Sequence, residues 1–395
     1  MRRAAWVAAF LLVVVLDGGH AQLPNWVPEV RGYFLNVPMG IAEGPFSDAA
    51  ASDFQRLRFM TRPTYGDFTF NVAYEHLITL RSDSGAGSMA GFAPIGSGSD
   101  WLTLQGTIWE TKNILWRHRL DRLSVRYSSE TVDAIVGRQP ISWATTLFLT
   151  PADPFVPFDP SDPFREYRAG VDAVRLRVFT GPFTEFDGVI RMANTSLGET
   201  VTALGRARTS IGSWELAGWG GVVHEEVAFS GAATLSLAGG VLRGEAVVRR
   251  SGDETVLRAT VGADRSFDVG GRNVYVIVEY QRDGYGAASS DELISVFLSE
   301  PAQRGEMQVF GRDEIAVQGS IELHPLFSAD ALVLWNLNDP SALIAPGGSY
   351  SVGNEVTVRG GLYIGVGAGA TEEGLPGSEY GIAPTTLYGS VTWFF

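Results

Sequence analysis

The chain has 395 residues, no cysteine and a formal net charge of −14, and 29 of its 30 basic residues are arginine, the exception being Lys112. Without cysteine there is neither a disulfide framework nor a thiolate metal site, and an acidic balance argues against nucleic acid as a partner. It carries 47 Gly and 44 aromatic residues (22 Phe, 12 Tyr, 10 Trp), yet beyond residue 21 no apolar run is long enough for a membrane helix.

In chain order, residues 1–21 come first. Arg2 and Arg3 precede an apolar stretch from Ala4 to Leu16, and Gly19 and Ala21 place small residues before a cleavage point. This is the pattern of a secretory signal peptide. Its removal leaves residues 22–395 as a single domain and takes the net charge to −15. Residues 81–100 are Gly/Ser-rich and read as a surface loop.

Period-two alternation then dominates. Leu123, Val125 and Tyr127 oppose Arg122, Ser124 and Arg126, and Val174, Leu176 and Val178 oppose Arg175 and Arg177. Leu242, Ala246 and Val248 oppose Arg243, Glu245 and Arg249, and Leu257, Ala259 and Val261 oppose Arg258 and Thr260. Val274, Val276, Val278 and Tyr280 oppose Asn273 and Glu279. A soluble sandwich alternates too. The segments here, however, run about ten residues, the length of a tilted membrane strand, and carry charge on the polar face. Only helices and closed barrels satisfy every backbone polar group in lipid. The expectation is an all-β transmembrane antiparallel β-barrel of about 16 strands, within a range of about 14–18. Long loops would lie at one end and short turns at the other. Residues 283–306 form a long connection in which 291–298 could make a helical turn or two.

Residues 150–163, TPADPFVPFDPSDP, place Pro151, Pro154, Pro157, Pro160 and Pro163 at a spacing of three. That spacing matches a polyproline II ridge, which is stiff and cannot join a β-ladder. Asp153, Asp159 and Asp162, followed by Arg165 and Arg168, would form a charged constriction if this loop folds inward. The alternative is an ordinary rim loop. The chain closes on LYGSVTWFF, in which Leu387, Val391, Trp393 and Phe395 share one face.

Gly137-Arg138-Gln139, the Pro/Asp-rich run and Gly170-Val171-Asp172-Ala173 resemble a stretch of bacterial outer-membrane porin families, the phosphate-selective and alginate-export types among them. The terminal strand, with Val391, Trp393 and Phe395, resembles the signal that the barrel assembly machinery reads. The resemblance covers residues 137–173 and the terminus. It implies a barrel in the outer membrane, with lipids and that machinery as partners, and it carries no substrate.

Together these features point to a water-filled channel for passive diffusion of small polar or charged solutes. Arg58, Arg122, Arg126, Arg175, Arg177, Arg206 and Arg208 would line its wall. The competing reading is a non-conducting barrel acting as adhesin, receptor or scaffold. An enzyme is not expected: no H-E-x-x-H or G-x-S-x-G spacing occurs, and His224 is the best remaining candidate base. No cofactor or metal is expected, and a homo-oligomer is compatible with the pattern.

Overall fold

A computed structural model describes residues 29–82, 100–155, 164 and 167–395. The expected signal peptide, most of the Gly/Ser-rich stretch, and Asp159, Asp162 and Arg165 lie outside the described residues.

The strands are β1 (Val30–Ile41), β2 (Ala50–Thr61), β3 (Thr64–Tyr65), β4 (Phe68–Arg81), β5 (Gln105–Glu110), β6 (Ile114–Ser128), β7 (Val132–Gln139), β8 (Val171–Phe179), β9 (Thr184–Thr195) and β10 (Gly198–Ile211). They continue as β11 (Trp214–Val223), β12 (Glu226–Leu237), β13 (Gly240–Ser251), β14 (Glu254–Val269), β15 (Arg272–Asp283), β16 (Asp313–His324), β17 (Phe327–Asn336), β18 (Ser341–Ser351), β19 (Val356–Val366) and β20 (Thr386–Phe394). β3 pairs only with β4 and β5 only with β6. The other 18 strands form one antiparallel wall. β20 closes that wall on β1, from Tyr33 opposite Phe394 to Ile41 opposite Thr386.

The strand number is thus 18 rather than 16, and the reason lies in the turns. Six successive connections between β9 and β15 have only two residues, so each strand uses less chain than expected. Three of these, 196–197, 224–225 and 252–253, are at the end of the barrel that also carries the long loops. The division into a loop end and a turn end therefore holds only in part, and the rim is low along β9–β14. Tight hairpins of this kind favour left-handed backbone at both central residues. Gly270 and Gly271 supply it without strain at φ 63° and 77°, whereas His224 and Glu225 adopt φ 49° and 69°. Those two non-glycine residues carry a conformational cost of about 1–3 kcal/mol each.

The alternation of the sequence becomes two faces. Val125, Leu176, Phe229, Leu257 and Val261 are exposed on the outside, while Asp133, Asp187, Glu245, Arg258 and Glu279 are buried inside. At the closing seam Phe395 stacks edgewise on Phe59 and lies beside Trp393, with ring centroids 5.8 and 5.5 Å apart. Gly32 is required there, since a Cβ would meet the Arg58 carbonyl at 2.3 Å and the Phe395 ring at 2.6 Å. The long connection 284–312 holds short helical turns at Ser290–Glu292, Leu293–Phe297 and Glu300–Gln303, where one or two turns were expected.

An arginine on the outer face is costly in proportion to its depth. Val261→Arg, midway along β14, is expected to lower the stability of the barrel refolded in lipid vesicles by about 2–4 kcal/mol, against about 0–1 kcal/mol for Val269→Arg at the strand end. Equal effects at the two positions, read by denaturant titration, would contradict the assigned membrane depth.

Candidate functional site

The GRQ segment is the root of the loop 140–170. Gly137 adopts φ 111°, and a Cβ there would meet the Leu123 carbonyl at 2.3 Å, so only glycine permits this approach. Arg138 grips Asp172 with two N–H groups at 2.9 and 2.7 Å and donates to the Leu102 carbonyl at 2.7 Å. The Gln139 amide donates to the Ala173 carbonyl at 3.1 Å. These contacts hold β7 and β8 together at the point where the chain leaves the wall.

From this root the loop folds into the lumen. A backbone segment removed from water must have its N–H groups satisfied. Here two wall carboxylates do so. Glu245 on β13 accepts from Thr145 (2.6 Å), Thr146 (3.1 Å) and Ala152 (3.1 Å). Glu279 on β15 accepts from Leu147 (2.6 Å), Phe148 (2.9 Å) and Leu149 (2.9 Å). Gln308, from the loop 284–312, accepts from Thr150 N–H and donates to the Phe148 carbonyl, both at 2.6 Å.

Apolar anchors seat the loop on three sides. Trp143 and Phe155 pack with Val189, Leu204, Trp219 and Val247. Leu149 packs with Leu332, Leu334 and Tyr380. Phe164 packs with Tyr33, Leu35 and Tyr388 on the seam side. The Trp143 indole donates to Asp187 at 3.0 Å, and the Trp219 indole to the Ala152 carbonyl at 3.0 Å. The described residues of the loop therefore touch the wall on three sides of the lumen.

The wall arginines divide into two groups. Arg58 and Arg122 are buried, and both bind Asp121, at 2.7 and 2.6 Å. Arg58 also pairs with Glu75 and covers the Tyr167 ring, and Arg122 donates to the Arg168 carbonyl. These two brace the returning limb of the loop. Arg126 pairs with Asp133 (2.7 Å), Arg175 with Asp187 (2.5 Å) and Arg208 with Glu185 (3.0 Å), and Arg177 pairs with Asp133 as well. All of them face inward. Arg206 differs. It lies opposite Asp187 on β9, but Asp187 is taken by Arg175 and Trp143, and the Arg206 guanidinium instead stands 5.7 Å from the Trp143 ring centre. It is half-buried and has no ion pair among the described residues. Arg117, inward on β6 opposite Leu77, is in the same position.

Asp153 lies in the inward loop, fully buried. It is bound by Ser142 at 2.8 Å and by Arg168. Burial pushes its carboxyl up, against the opposing pull of Arg168. It braces the loop and does not face open lumen. His224 sits in a two-residue turn beneath the loop 284–312, its Nε2 3.7 Å from Glu306. Burial, with Arg191, Arg249 and Arg304 nearby, holds it down to about 3, so it is neutral at physiological pH. Val391, Trp393 and Phe395 lie on the outer face of β20, as the pattern required.

Glu245, Glu279 and Gln308 were not singled out from the sequence as loop anchors. The one signal was that Glu245 and Glu279 are acids on the polar face of alternating strands.

No protein-family model and no curated protein matches the chain. Solved structures do. OpdK of Pseudomonas aeruginosa, crystallised with vanillate, aligns with a TM-score of 0.53 at 9% identity, over 93% of this chain and 98% of that one. The fold is that of a porin. A BenF-like porin of Pseudomonas fluorescens aligns at 0.54 and 11% identity, over 93% of this chain and 98% of that one. OccAB3 of Acinetobacter baumannii aligns at 0.56 and 10% identity, over 93% and 99%.

The clamp is testable without assaying transport. Glu245→Ala removes the acceptor for three buried N–H groups, each worth about 1–3 kcal/mol when orphaned. The expected outcome is rapid proteolytic cutting within 144–152 of a barrel that still resists heat in detergent. A loop as resistant as the wild type would show that the clamp contributes little.

Proposed function

We propose that this protein is an outer-membrane diffusion channel for small polar solutes with a preference for anions. The observation that carries the reading is the loop 140–170 crossing a charged lumen inside a wall whose outer face is apolar. Such a loop narrows the passage and brings solutes close to fixed charges, which then set selectivity. Arg117 lies toward the loop end and Arg206 toward the turn end, and neither is neutralised by a direct ion pair among the described residues. Both are free to meet an anion. Vanillate, bound in the OpdK crystal, is a carboxylate. Arg126, Arg175, Arg177 and Arg208, each tied to an acid, line the vestibule and give it a transverse field. Val391, Trp393 and Phe395 serve as the assembly signal on β20.

One observation favours the competing scaffold reading. Trp143, Leu149, Phe155 and Phe164 are buried, so the loop is seated on the wall through an apolar core on three sides. A loop this well packed could fill the lumen. Conductance separates the two readings. The refolded protein in a planar bilayer is expected to show discrete open steps and an anion-selective reversal potential in a salt gradient. Arg117→Glu with Arg206→Glu should cut the anion:cation permeability ratio about tenfold, equivalent to about 1.4 kcal/mol. A folded barrel that stays silent would overturn the channel reading, and an unchanged ratio would overturn the roles of the two arginines.

A further inference from the structure

The loops that hold the constriction loop are themselves held by a pair of acids. Glu314 projects inward from β16 and Glu379 from the loop 367–385, and the two carboxyl groups meet at Gly311 and Asn336, which Glu379 Oε2 binds and beside which Glu314 Oε1 lies. Glu379 is satisfied as an anion. Its Oε1 accepts Phe310 N–H at 2.7 Å, and its Oε2 accepts Gly311 N–H at 2.9 Å and the Asn336 amide at 2.8 Å. Glu314 is not. Its Oε2 accepts only the Tyr380 hydroxyl at 3.3 Å, and its Oε1 is buried with no partner if both groups are ionised.

Among the described residues none gives Glu314 a neutralising ion pair. Gln281 and Asn336 flank Glu314 on the neighbouring strands, and both are neutral. Tyr380 faces Glu314 from the loop 367–385. Asp339, in the turn after β17, accepts the backbone N–H of Glu379 at 2.5 Å. Glu379 and Asp339, which face Glu314 from the two connections packed on it, are both acids. From above, Gly311 closes the space: a Cβ there would come within 2.5 Å of Glu314 Oε1 and 2.6 Å of Asn336 Cγ. Two carboxylates brought together in so dry a place cannot both ionise.

We propose that Glu314 and Glu379 share one buried proton, carried on Glu314 Oε1, and that this proton keeps the loops 284–312 and 367–385 seated in the lumen. The hydroxyl of protonated Glu314 then donates to Glu379, which gives the unpartnered oxygen its partner and leaves Glu379 free to accept three N–H groups. The proton is connected to the constriction loop by a short path. Glu379 binds Phe310 and Gly311, and two residues earlier Gln308 binds Thr150 and Phe148. A proton held only in the seated state favours that state at low pH, and that contribution is lost as pH rises through the titration of the pair.

Two measurements on the refolded protein test this, and neither requires it to conduct. The first is the infrared carbonyl band of a protonated carboxylic acid at neutral pH, compared with that of Glu314→Gln. The band should be present in the wild type and reduced by one carboxyl equivalent in the variant, whose amide donates to Glu379 without a proton. The second is tryptic cutting after Arg304, with rates corrected on an unstructured peptide. Buried glutamic acids titrate as high as about 8–9, so cutting of the wild type should accelerate about tenfold between about pH 6 and about pH 10, while Glu314→Gln stays flat. An unchanged band in the variant, or the same acceleration in both proteins, would overturn the proposal.

Discussion

A peptide group taken out of water needs a partner, and this protein meets that demand in two ways. In the wall, each strand bonds to its neighbours, and the ladder has no edge because β20 returns to β1. In the lumen, the loop 140–170 has no strand beside it, and carboxylates take the place of one. Glu245 and Glu279 each accept three successive or nearby N–H groups, and Glu379 does the same service for the loop 284–312. The seating of this loop is therefore as much a consequence of backbone saturation as the barrel is.

The use of arginine follows from the same economy of donors. A guanidinium presents five N–H groups in a fixed fork and can bind a carboxylate with two of them while reaching a carbonyl with a third. Arg138 does this with Asp172 and Leu102, and Arg258 with Asp283 and the Glu306 carbonyl. Lysine has no such geometry, and the chain has only Lys112, which lies in the turn between β5 and β6. Most luminal arginines are thus structural members. Among the described residues a few, Arg117 and Arg206 with them, have no ion pair.

Much of this architecture was legible in advance. The opposition of Leu123, Val125 and Tyr127 to Arg122 and Arg126 marks an outer and an inner face, because side chains alternate across a strand whatever it pairs with. The terminal Val391, Trp393 and Phe395 fall on the outer face for the same reason. The strand number was less accessible, since it depends on turn length. The site was legible only as a set of inward charges. Arg58 and Arg126 look alike in the sequence, yet one is buried under Tyr167 and the other opens to the vestibule.

The sequence by itself determined the barrel class and the two faces of each strand, because period-two alternation is a local property and is preserved in any register that keeps one face wet. It also marked the Pro/Asp-rich segment as unable to join the ladder. Only the tertiary structure decided that the loop turns inward, which acids hold it, and which arginines stay free. Those outcomes depend on contacts between residues about one hundred or more positions apart, such as Thr145 with Glu245 and Leu147 with Glu279. They are set by barrel closure and register, which no local pattern encodes.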